Sequence, residues 1–206
     1  MPHCSRVCIT PVFFACATFF TNHAHSELTP DSRSTHGYTF TKTVALGAPD
    51  HWDFVVFDPV SGKVFIAHGD RITVVDGSSG QLIGNVEGLP GGTHGVAIVP
   101  GQRGYTDDGR AGTVASFDLD KLKLINTIKA DADADAVVFD PISGHVFVVD
   151  SDPGKLTVVD PKSDSAVATV DCGGKLETAV ADGMGSSMSM VRKSKRSSAL
   201  IQVAMP

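Results

Sequence analysis

The chain has 206 residues with 17 Lys plus Arg, 23 Asp plus Glu and a formal net charge of −6. Residues 25–183 hold all 23 acids against 12 basic residues, so the body of the chain is acidic and phosphate-backbone binding is excluded as its main task. Four cysteines, three of them at positions 4, 8 and 16, leave Cys172 alone in the body, and one thiol cannot staple a domain.

The first predicted element is a leader. MPHCSR carries one Arg and no acid, VCITPVFFACATFF is an apolar run of 14 residues, and TNHAHS supplies small residues around Ala24. This order predicts a secretory signal peptide over residues 1–24. The run is shorter than the roughly 20 residues of a membrane-spanning helix, so no transmembrane segment is expected after cleavage. The body is then expected in the periplasm or outside the cell.

KTVALG (42–47) has the composition of one short strand. From residue 53 onward the chain repeats itself. VVFDP (55–59), VAIVP (96–100), VVFDP (137–141) and AVADG (179–183) stand at steps of 41, 41 and 42. ITVVD (72–76), VASFD (114–118) and LTVVD (156–160) end in aspartates 42 apart. QLIGNV (81–86), KLINTI (123–128) and AVATVD (166–171) follow in the same order. Each unit therefore holds four apolar runs rich in Val, Ile, Phe and Thr, which is strand composition. Asp58-Pro59-Val60-Ser61-Gly62 and Asp140-Pro141-Ile142-Ser143-Gly144 are turn sequences, with Pro early and Gly where φ is positive.

Four short antiparallel strands per 41–42 residues predict β-propeller blades. A lone four-stranded sheet covers neither of its apolar faces, and like sheets stacked face to face cover both. The expected fold is all-β: a partial β-propeller of about three blades (53–93, 94–134 and 135–176), the start of a fourth at 177–183, and fragments of flanking blades. Residues 184–206 carry Arg192, Lys193, Lys195 and Arg196 without an acid and show no strand alternation. They are expected to be a disordered basic, Ser-rich tail or the product of a shifted reading frame.

The inner-strand phrase, DPxSGxVF, and the third strand ending in Asp resemble the YVTN-type β-propeller repeat. With His94-Gly95, Gly104-Tyr105, Asp133 to Val137 and Gly173 to Glu177, the chain is similar to exported bacterial YncE-like proteins over roughly residues 38–183. The resemblance implies a propeller and an exported location and says little about chemistry. Members typically have seven blades, and this chain has three whole units.

Two residues before each inner-strand phrase stand Asp53, His94, Asp135 and Glu177. Repeat position sets spatial position, so these ionisable groups are expected to ring one mouth of the channel, with Trp52 beside Asp53. Carboxylates and imidazole at one mouth suit a small polar ligand or, less well, a divalent cation. No catalytic residue, metal ligand or cofactor is assigned. The bland counterpart is a wet polar rim. Trp52 is expected to pack on a blade, and His51 and His68 to lie at strand ends on the surface. Tyr105 to Gly109 reads as a turn with two acids, and Asp131 to Asp135 as a solvated acidic loop. Cys172 reads as a small residue in a turn. The expected function is binding or scaffolding of an unknown protein or small polar ligand through rim and loops. The alternatives are a propeller enzyme of quinoprotein-dehydrogenase or lactonase type, or a truncated fragment with no function.

Overall fold

The computed structural model describes residues 39–49, 51–184, 187–193 and 198–204, with side chains up to residue 184. The predicted signal peptide lies outside them. Contacts divide the chain into residues 1–42 and a second unit, residues 43–206, which contains every described sheet.

Four sheets follow one another in chain order. The first joins β1 (Val55–Asp58), β2 (Lys63–His68), β3 (Arg71–Asp76) and β4 (Leu82–Val86). The second joins β5 (Val96–Val99), β6 (Arg103–Asp108), β7 (Thr113–Phe117) and β8 (Leu124–Lys129), with a 3-10 turn at Gly109–Ala111. The third joins β9 (Ala134–Asp140), β10 (His145–Asp150), β11 (Lys155–Asp160) and β12 (Ser165–Asp171). The fourth joins β13 (Leu176–Ala181), β14 (Ser187–Lys193) and β15 (Ser198–Ala204). Neighbouring strands are consecutive and antiparallel in every sheet.

The tail differs from its expectation. Residues 187–193 and 198–204 extend the fourth sheet, although their sequence lacks the turn phrases and Val/Ile-rich runs of the other units. Backbone hydrogen bonds along the preceding strand accept a poor strand former when its neighbour offers a free edge. The reading-frame expectation concerns residues partly outside those described.

Turn chemistry explains the repeated aspartates. Asp58 accepts the N–H of Val60 at 3.1 Å and of Ser61 at 3.2 Å, and the Ser61 hydroxyl at 2.6 Å. Asp140 does the same for Ile142 and Ser143, each at 3.1 Å. The third-strand aspartates close the other hairpin: Asp76 accepts Ser79 N–H at 2.6 Å, Asp118 accepts Lys121 N–H at 2.8 Å, and Asp160 accepts Lys162 N–H at 2.9 Å. A carboxylate that takes local N–H donors fixes the turn without competing for strand hydrogen bonds.

The core lies between sheets. Phe65, Ala67, Ile72 and Val74 of the first sheet pack on Val96, Ala115 and Phe117 of the second. Ala97, Val99, Tyr105 and Val114 of the second pack on Val137, Val146, Val148 and Val159 of the third. Ala136, Phe147, Leu156 and Val158 of the third pack on Leu176 and Ala179 of the fourth. The leading strands β1, β5, β9 and β13 lie beside their successors, as strands around a common axis do. Close approach at that axis needs Gly95: a Cβ there would stand 2.4 Å from the Val137 nitrogen. Cys172 is buried on the third interface.

Candidate functional site

Asp107 organises the site. It lies on β6, fully buried, in the register that holds Ala67 on β2 and Val149 on β10. A carboxylate in an apolar slot must be satisfied from within. Asp107 accepts the backbone N–H of His94 at 3.1 Å, the N–H of Gly95 at 2.6 Å and the Nδ1 of His94 at 2.9 Å. The segment before β5 therefore wraps around this one side chain.

The contact makes His94 a cation. Its pKa is raised to about 9, mainly by the hydrogen bond to Asp107, against a counter-effect of burial, with the charges of Asp107, Asp135 and Asp53 adding to it. Burial pushes the Asp107 carboxyl up, while His94 and the Gly95 N–H pull it back. An imidazolium against a carboxylate is the state in which all of these partners are used. Asp135 stands 3.9 Å from His94 Nδ1. Its own carboxyl is raised, first by burial, with His94 opposing and Asp107, Asp133 and Asp53 reinforcing.

Three of the four rim positions thus act on one another: Asp53, His94 and Asp135. Glu177, on β13, contributes instead to the field at Lys175, which pairs with Asp152. Trp52 stands apart. It is exposed and lines a separate apolar groove of about 770 Å³ with Thr43 to Ala48, Val55, Ile66 and His68.

A cavity of about 530 Å³ opens over His94, bounded also by His51, Asp70, Gly92, Arg110 and Asp133. Cationic His94 and Arg110 share it with the carboxylates of Asp70 and Asp133. Among the described residues no group of three or more His, Cys, Asp or Glu side chains is disposed to hold a metal ion. His94 turns its Nδ1 to Asp107, so Asp53, His94 and Asp135 offer charge to a ligand and not a coordination shell.

Several local expectations are corrected. Tyr105 to Asp108 is strand, not turn, and all four residues are buried. His68 is buried, bonded to Thr73 Oγ1 at 2.8 Å and to the Pro49 carbonyl at 2.6 Å. The stretch from Asp131 is partly built in: Asp131 bridges to Lys155 at 2.7 Å, and Ala134 opens β9. Asp107 itself was legible only as a departure from the repeat, an acid where the other units carry Ala67 and Val149.

The last residues of β2, β6 and β10 are His68, Asp108 and Asp150. His68 bonds Thr73, and Asp150 bonds Thr157 at 2.7 Å. The same register on β7 holds Ala115, and the buried Asp108 Oδ1 has no hydrogen-bond partner among the described residues.

No family model matches the chain, and no curated protein matches it. Among solved structures, hydrazine synthase of Kuenenia stuttgartiensis is similar at a TM-score of 0.69 and 17% sequence identity. The match covers 82% of this chain and 49% of that one, so the chain spans about half the length of its neighbour. At that identity the likeness is one of fold. Together with the repeated four-stranded sheets, it defines the class: a partial β-propeller.

Proposed function

We propose that this chain is an exported YVTN-type propeller protein of the YncE-like kind that binds a small polar ligand at the His94 cavity. The 41–42-residue phrases support the family reading, and the apolar run before residue 24 supports export. One observation carries the binding reading: a buried carboxylate, Asp107, holds His94 cationic at the wall of a cavity that also contains Arg110. Two cations, His94 held by Asp107 and the exposed Arg110, beside Asp70 and Asp133 suit a ligand with an anionic group and a hydrogen-bond donor. The test is ligand-observed NMR with a panel of small hydroxy and amino carboxylates. Binding by the wild-type chain that is lost in His94→Gln is the expected result. A panel without a hit, or a hit indifferent to His94→Gln and Arg110→Gln, overturns the reading.

A second reading, catalysis, is favoured by the same pair, because an imidazolium oriented by a buried carboxylate can give up a proton as a general acid. Turnover of a bound ligand that vanishes in His94→Gln would decide for it. Binding without turnover decides for the module.

A further inference from the structure

Two cavities border the same leading strands at opposite ends. The polar one lies where the strands begin: His94 stands two residues before β5, and Asp133 one residue before β9. The other, of about 320 Å³, lies along the strands and reaches the turns that end them, at Pro59 and Pro100. Residues of β1, β5 and β9 all line it, so it is a wall built by three successive sheets.

This second wall is apolar in each repeat. Val56, Ala97 and Val138 stand at steps of 41, and so do Phe57, Ile98 and Phe139. Phe57 is exposed, and Val56, Ile98, Val138 and Phe139 are half-buried, so these side chains are not spent wholly on packing between sheets. The one charged residue in the wall, Asp58, turns its carboxylate to the N–H groups of Val60 and Ser61 in its own turn. Water against such a wall finds few partners. At the polar end, Asp107 holds the Nδ1 of His94, which leaves the Nε2–H of the imidazolium as the donor for a ligand.

We infer that the ligand is amphipathic: a charged head sits at His94 and Arg110, and an unbranched apolar tail runs along the leading strands to Phe57, Ile98 and Phe139. This rests on the reading of the His94 cavity as the binding site and adds what the rest of the ligand must be. Polar groups at one end fix the orientation, and the apolar wall supplies area, which is how small-molecule sites divide the two tasks. The strand length sets the reach. At about 3.3 Å per extended residue, His94 to Ile98 spans about 13 Å, which suits a tail of medium length.

Ligand-observed NMR titration of the full chain with straight-tailed α-amino carboxylates, from alanine through norleucine to α-aminodecanoate, keeps the head and varies the tail. Affinity is expected to rise about fourfold for each methylene buried and to level off once the wall is covered. His94→Gln should weaken every member alike. Phe57→Gln, at an exposed position, and Ile98→Thr should leave alanine unchanged and weaken α-aminodecanoate by about tenfold. Circular dichroism checks that each variant is folded. Affinity that is flat along the series but lost in His94→Gln overturns the amphipathic ligand and leaves the head-group reading standing. Binding by no member sinks both. A rise along the series that ignores His94→Gln overturns the inference. So does a rise that Trp52→Ser abolishes and Phe57→Gln spares, because the tail would then lie in the Trp52 groove.

Discussion

At the scale of single residues, the protein turns on buried carboxylates with different supplies of donors. Asp107 has His94 and Gly95. Removing its charge in Asp107→Asn should let the His94 pKa fall from about 9 towards the ordinary 6.5, readable by NMR titration of the imidazole. The sign for stability follows from linkage. The folded pKa lies above the unfolded one, so this contribution is complete below pH about 6.5 and is lost as pH rises through about 9. It amounts to at most about 3 kcal/mol, and unfolding in urea between pH 6 and pH 10 should show the loss in the wild type but not in Asp107→Asn. Asp108 differs: the Gly91 and Gly92 N–H groups and Arg110 oppose the upward push of burial on its carboxyl. Its Oδ1 lacks the hydroxyl that Thr157 gives Asp150. Ala115→Ser should supply one and raise stability by about 1 kcal/mol, measured as a shift of the urea midpoint at constant slope. An unchanged or lower midpoint would mean that the buried site has no room for the oxygen.

At the scale of elements, hairpins of one sheet are tied to the strands of the sheet before it. Asp164, with φ +50, accepts the Tyr105 hydroxyl at 2.7 Å and the Ser116 hydroxyl at 2.8 Å, and pairs with Arg103. Asp164→Ala leaves these three donors without their acceptor and places Ala in a left-handed conformation. The expected cost is about 2–4 kcal/mol. Asp164→Asn keeps an acceptor and a residue type that tolerates that backbone, so it should cost clearly less. Equal losses in the two variants would refute a hydrogen-bonded latch. Sheet packing sets a harder limit at Gly104, where a Cβ would stand 2.1 Å from the Phe117 ring. Gly104→Ala should destabilise by about 1–3 kcal/mol in thermal unfolding, since the Phe117 ring is fully buried against Phe65 at 6.0 Å between centroids.

At the scale of the whole molecule, the repeat was open to reading because each unit solves the same burial problem in the same order. Four β-rich runs, one or two turn aspartates and a period of 41–42 residues appear as the first three sheets. The fourth sheet shows where periodicity stops informing. β14 and β15 carry none of the unit's phrases and still pair, because a strand edge selects backbone, not side-chain identity. Of the four equal repeat positions, Asp53, His94 and Asp135 lie within one field, while Glu177 acts on Lys175; Trp52, beside Asp53 in the chain, lines another groove.

The order of residues alone fixes the first three sheets and their succession, the turn aspartates and the ionisable character of the position before each leading strand. These rest on local chemistry: strand propensity, short-range hydrogen bonds in turns, and a fixed number of residues per blade. Packing in three dimensions sets that Asp107 is buried and charges His94, that the Asp108 Oδ1 lacks a hydroxyl donor, and that Val55 and Val180 are exposed. Burial depends on which sheet lies opposite, and a chain read residue by residue carries no record of what covers it.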